Sequence, residues 1–222
     1  MRVRRMWSGI TALTMLVSAC LSLLTCPAEA YAAAAIYNVE AREDWYHYGC
    51  SGYIATEPSA PVVQYQKVKS IYASKTDMSS WTELGLTYDY GYSNARIFVA
   101  RCSNGAYKDY VFDSVPWGTT TRFHIGYSTA DQKFYYWLNN AVFMTIPKSE
   151  VGGMTSCWPG TNAEVDLWNS SAAYNNDAYF SGLMYKEYNW GVWTYWGTSG
   201  QNFYDNDPNN SNHFGNNYVS VY

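Results

Sequence analysis

Three carboxylates carry most of the chemical potential of this 222-residue sequence. Glu164 and Asp166 stand two apart, so on a strand both project from the same face. Glu83 lies in Trp81-Thr-Glu-Leu-Gly-Leu-Thr-Tyr88, on the face shared with Trp81. Paired carboxyls are what glycosidic hydrolysis uses: about 5–5.5 Å apart for retention, about 6.5–9.5 Å for inversion. Strand neighbours meet either spacing. Trp81, Trp168 and Trp193 are the candidate ring faces for a sugar, whose C–H faces suit an aromatic surface. Without catalysis, the same three carboxylates are solvated charges on strand faces.

Other chemistries find less support. His47, His124 and His213 are scattered, and no C-x-x-C pair suggests zinc. No Gly-x-Ser-x-Gly elbow or phosphate-cradling glycine motif is present. The run from Asp205 to Asn212 offers oxygen ligands but lacks the glycine and terminal glutamate of an EF-hand loop. The expectation is no metal and no cofactor.

The elements that must hold these residues read as strands. Thr121 to Ser128 places Phe123, Ile125 and Tyr127 on one face and Arg122, His124 and Ser128 on the other. Val62 to Ala73, Trp81 to Tyr88 and Arg96 to Cys102 are β-rich. Lys133 to Leu138 and Ala141 to Ile146 flank Asn139-Asn140, a hairpin turn, because Asn tolerates positive φ. Further strands are expected at Tyr107–Phe112, Glu164–Trp168, Tyr179–Tyr185 and Val192–Trp196. Many short strands without an amphipathic helix predict an all-β fold, a two-sheet antiparallel sandwich. Gln201 to Asn217 is expected as an Asn-rich polar loop.

Composition narrows the rest. Only 14% of residues are charged and 18% are aromatic, with a net charge of −4. That excludes strong disorder and disfavours nucleic acid as a partner. Arg2, Arg4 and Arg5 precede an apolar stretch that ends at Ala28-Glu29-Ala30, the layout of a secretory signal over residues 1–30. Its removal leaves 11 basic against 17 acidic residues, a net charge of −6. The expectation is an extracellular protein without a membrane span, residues 31–222 forming one domain. The rival is a lipoprotein anchored through Cys20 in Val17-Ser18-Ala19-Cys20. An oxidising compartment predicts one disulfide among Cys50, Cys102 and Cys157.

Ser51-Gly-Tyr-Ile-Ala-Thr56, Trp81–Gly85, Phe134-Tyr-Tyr-Trp-Leu-Asn-Asn140 and Ala163-Glu-Val-Asp-Leu-Trp168 occur in an order that resembles the secreted concanavalin A-like lectin/glucanase sandwiches of actinobacterial type. The resemblance spans Gly49 to Tyr185. It implies a jelly-roll arrangement in a superfamily of lectins, glycosidases and peptidases. Glu164–Trp168 is loosely similar to the Glu-x-Asp-x-x-Glu strand of laminarinase-type glycosidases, but Asn169 follows where a third carboxylate would be due. Gly160 to Asp166 is also similar to the stretch leading into the catalytic strand of the eqolisin glutamic peptidases. That family pairs a Gln with a Glu general base. Here Arg96–Cys102 holds no Gln, and Gln64, Gln66 and Gln132 lie elsewhere. The expected function is a secreted, non-catalytic binding or surface-interaction protein with a polysaccharide or cell-surface glycan as ligand. The alternative is a secreted hydrolase using Glu164 with Asp166 or Glu83.

Overall fold

Fifteen strands build two antiparallel sheets in the computed structural model, which describes residues 35–43, 45–58, 65–89, 94–167, 176–187, 191–197, 201–206, 212–215 and 217–221. The first sheet is formed by β1 (Ala35–Glu43), β3 (Tyr65–Ser74), β4 (Ser80–Asp89), β5 (Ala95–Ser103), β6 (Ala106–Val115), β10 (Trp158–Leu167) and β13 (Gln201–Asp205). Its order is β13-β1-β10-β3-β4-β5-β6. The second is formed by β2 (His47–Ala55), β7 (Thr120–Ser128), β8 (Lys133–Leu138), β9 (Ala141–Pro147), β11 (Ala178–Glu187), β14 (Asn212–Gly215) and β15 (Tyr218–Val221), in the order β14-β15-β11-β2-β7-β8-β9. The short β12 (Trp193–Tyr195) pairs with β11. The chain is therefore the expected all-β antiparallel sandwich.

The core lies between the sheets and follows the period of two. Ile71, Ala73, Leu84, Leu86 and Val99 of the first sheet meet Ile54, Phe123, Ile125, Phe134, Phe180 and Leu183 of the second. The Tyr136 hydroxyl and the Thr82 hydroxyl share a hydrogen bond across the gap. The hairpin forms as expected, with Asn139 at φ 46° and Asn140 at φ 74°.

Three expectations change. The Asn-rich segment 201–217 contains strands β13 and β14. Both are edge strands whose pairing with β1 and β15 overrides weak propensity. Strand β10 begins at Trp158, six residues before Glu164. None of the three disulfide pairings forms, because Cys50 and Cys157 are both free, buried thiols. Cys157 bridges to His47 in register, three residues from Cys50. Three strand residues span about 10 Å, beyond disulfide reach. The Cys50 thiol instead donates to the Tyr72 carbonyl, and the Cys157 thiol to the His47 carbonyl.

Candidate functional site

The first sheet is buried on both faces at its centre. Its face away from the core carries a second cluster of Tyr72, Met78, Trp81, Phe98, Ala100 and Cys102, flanked by Val68 and Tyr107. Beside this cluster, alternation along four adjacent strands puts Asn38, Glu40 and Arg42 of β1 on the same face as Gly160, Asn162, Glu164 and Asp166 of β10. Ser70 and Tyr72 of β3 and Trp81 and Glu83 of β4 complete it. The register fixes the rows: Arg42, Gly160, Tyr72 and Glu83 lie across the sheet in one, and Glu40, Asn162, Ser70 and Gly85 in the next.

The three predicted carboxylates converge there, and Glu40 joins them. Glu40, Glu83 and Glu164 are 2%, 5% and 8% exposed, while Asp166 is partly open to solvent. Asn162 lies between Glu83 and Glu164 on this face, and its side-chain amide opposes the rise in both their proton affinities. Ser70 Oγ donates to Glu83. Glu40 accepts from Asn38 Nδ2 at 2.9 Å and from the Tyr72 hydroxyl at 3.1 Å.

Burial dominates the electrostatics. It pushes the Glu83 carboxyl up to about 7, against the opposing hydrogen bonds from Ser70 and Asn162. It raises Glu40 to about 7 as well, with the Tyr72 hydrogen bond opposing. Asp166 rises to about 6, again by desolvation. Glu164 stands well above the carboxylate range, first through burial, then through the negative charges of Asp166 and Glu83. Such a cluster holds several protons near neutrality, with different members ready to give or take one. Separated proton affinities in neighbouring carboxyls are the arrangement that acid–base chemistry requires.

Unpartnered groups face the same site. Trp81 Nε1, Asn162 Oδ1 and Asp166 Oδ1 are buried without a hydrogen-bond partner. At the edge, the Arg42 guanidinium lies between the Trp158 ring (4.6 Å) and the Tyr204 ring (4.8 Å).

The aromatic expectations fare differently. Trp81 is 1% exposed and packs against Tyr107, so it offers no open ring face to a sugar, a correction to its expected role. Burial of this strand on both sides is the cause. Trp168 lies outside the described residues. Trp193 is half-buried on the outer face of the second sheet, away from the carboxylates. No group of three metal-ligating side chains occurs among the described residues.

Glu40, Ser70, Tyr72 and Asn162 escaped the sequence reading. The alternation Asn38, Val39, Glu40, Ala41, Arg42 is a strand signal that could have placed Glu40. Gly160 has a specific task. A Cβ there would come 2.1 Å from Cζ of the Tyr72 ring, so only glycine lets that ring lie across β10 and reach Glu40. Gly160→Ala is expected to destabilise the fold by about 1–3 kcal/mol, the range for overpacking. Chemical denaturation should show that cost shrinking in a Tyr72→Ala background. Equal costs in both backgrounds would refute the contact.

The raised carboxyl affinities also set a pH dependence. The unfolded chain releases these protons near 4.5 for glutamate, the folded protein near 7 for Glu40 and Glu83. The folded state binds more protons in between, so the cluster's contribution to stability falls as pH rises from about 4.5 through 7. Thermal unfolding should give a lower Tm at pH 8 than at pH 5. Glu40→Gln should flatten that slope, and an unchanged slope would place the titration elsewhere.

No family model matches the sequence, and no curated protein matches it. Solved structures do resemble it. Scytalido-glutamic peptidase in complex with a peptide-based transition state analog superposes with a TM-score of 0.57 at 10% identity, covering 84% of this chain and 96% of that one. SCP-B, a member of the eqolisin family of peptidases in complex with a tripeptide, gives 0.55 at 10% identity over 84% and 96%. Ancestral congerin gives 0.41 at 12% identity, covering 57% of this chain. For the two peptidases, at 10% identity, the likeness is one of fold.

Proposed function

We propose that this protein is an exported hydrolase in which Glu164 and Glu83 form the acid–base pair, with Asp166 keeping a proton on Glu164. One observation carries the reading: two buried carboxyls with raised proton affinity, Glu83 and Glu164, stand on one sheet face beside Asn162, close enough that the charge of Glu83 raises Glu164. With one proton between them, the ionised member takes a proton from water as its oxygen attacks the scissile carbon. The protonated member gives its proton to the leaving group. Water is thereby added across the bond, and the pair returns with its proton moved from one carboxyl to the other. Assays against unfolded protein and β-linked glucans between pH 5 and 9 test the proposal and separate peptide from glycosidic substrates. Absence of cleavage in both arms would overturn it.

A second reading, a glycan ligand held without catalysis, is favoured by a different observation, the half-buried Trp193 beside His124 on the outer face of the second sheet. Glycan-array binding that survives loss of Glu164 would support it.

A further inference from the structure

The outer face of the second sheet has a glycine floor. Gly49 of β2 pairs with Gly126 of β7, and the same row runs on to Tyr135 of β8 and to Lys186 of β11, which faces Trp193 of β12. With no Cβ at Gly126, two indoles close over it from opposite sides. A Cβ there would stand 3.1 Å from Trp137 Cζ3 and 3.8 Å from Trp193 Cζ2. Tyr135 continues the surface, its ring within 26° of parallel to Trp137 at 5.6 Å. His124 sits edge-on between the indoles, 6.2 Å from Trp137 and 5.4 Å from Trp193. Three half-buried rings thus lie side by side, supported by one imidazole, on the opposite side of the sandwich from the carboxylates.

The charge of this face selects its occupant. Burial lowers the His124 proton affinity to about 4, so the imidazole is neutral at neutral pH. Arg122 is engaged with Asn140 Oδ1, Met184 Sδ and the Tyr53 ring. Lys186 Nζ donates to the Tyr127 carbonyl. What the face presents is ring surface flanked by cations already held by the protein and by the exposed Asp131 carboxylate, which accepts from the Tyr135 hydroxyl; this mixed charge complements an uncharged polymer better than a polyanion. His124 Nε2 is buried without a partner, a cost that a hydroxyl entering between the indoles would remove.

We propose that Tyr135, Trp137 and Trp193 form a binding platform for a neutral, β-linked pyranose polysaccharide, independent of the carboxylate site. The proposal rests on the glycan reading above and assigns it a surface and a ligand class. Pyranoses with equatorial hydroxyls expose flat C–H faces, and a chain of them matches a row of rings lying along a sheet. Binding here would hold the protein on an insoluble substrate while the other sheet's face stays free.

The test is a pull-down and affinity electrophoresis of the full chain on cellulose, β-1,3-glucan, xylan and chitin. Wild type and Glu164→Gln should bind alike, and Trp137→Ala and Trp193→Ala should each weaken binding at least about tenfold, as loss of a central aromatic anchor does. Thermal unfolding checks each variant. If Trp137→Ala unfolds, Trp193→Ala on the short outlying strand β12 carries the test alone. Wild type binding with both tryptophan variants unaffected would sink the platform and leave the glycan reading standing. Wild type binding to none of the four polymers would sink both. A concentration-dependent dimer that Trp193→Ala dissociates would show the rings to be covered by a second copy and also overturn the proposal.

Discussion

Glu164→Gln is expected to reduce hydrolysis by about 10²–10⁴-fold, the usual worth of a positioned acid–base group, while leaving the fold intact. Gln keeps the shape, but it carries no transferable proton. Because Glu164 holds its proton far above the carboxylate range, its ionised form is a liability to the folded state at high pH. The variant should therefore unfold at the wild-type temperature at pH 5 and above it at pH 8. A loss of activity with unchanged or raised stability is the signature that separates chemistry from damage. Glu83→Gln should also lower the rate, since it removes the other carboxyl of the pair. The pH profile adds a directional check. Wild-type activity should rise as pH rises through about 7, where Glu83 loses its proton and becomes the base, and fall only at higher pH, where Glu164 loses its own. Asp166→Asn removes the foremost negative neighbour of Glu164 and so should bring the Glu164 proton affinity down, moving the alkaline limb to lower pH. Glu164→Gln at wild-type rates would remove Glu164 from the reaction, and an alkaline limb that ignores Asp166→Asn would remove Asp166 from the pair's tuning.

The site was partly legible because its chemistry follows the strand period. Glu164 and Asp166, two apart, had to share a face wherever that strand lay. Glu83 and Trp81 did likewise. What brings those two strands together is β3 between them, with Asn162 opposite Ser70 and Glu83 opposite Tyr72. That register is a long-range fact, and spacing along the chain does not encode it. Glu40 comes from β1, whose place beside β10 is equally non-local. Trp81 was misread for a physical reason: alternation predicts one open face, and the centre of this sheet has none. The fold was more legible than the site. The period of two, the Asn139-Asn140 turn and the absence of a helical stripe each point to the same antiparallel sandwich. The edge strands β13 and β14 were not legible, because paired neighbours rather than their own Asn-rich residues make them strands.

Lys67 and Lys69 break the pattern more severely. They share a face with Ile71 and Ala73, so the strand turns two ammonium groups toward the core, and both are buried. Glu57 holds them, with Oε1 2.6 Å from Lys67 Nζ and 2.9 Å from Lys69 Nζ. Burial lowers the Lys67 proton affinity to about 8, with Lys69 beside it pushing the same way and Glu57 opposing. Burial also lowers Lys69, again with Glu57 opposing. Glu57→Ala would leave two desolvated cations facing each other. Breaking a buried ion pair costs about 3–5 kcal/mol. Glu57 is 24% exposed, so water reaches the gap and the lower end, about 3 kcal/mol, is expected. For a domain of this size that lowers Tm by about 6–12 °C. The two lysines held by one carboxylate keep the Glu57 affinity below the usual range, despite its own burial. This contribution is therefore present above the ordinary glutamate range and is lost as pH falls through the depressed value. It runs opposite to the carboxylate cluster, so stability should be greatest between the two limits. Denaturant unfolding of Glu57→Ala beside Lys67→Met/Lys69→Met/Glu57→Ala provides the check. The triple variant removes the uncompensated charge and should recover most of the loss. A Glu57→Ala protein as stable as wild type would show that the lysines are not held through Glu57.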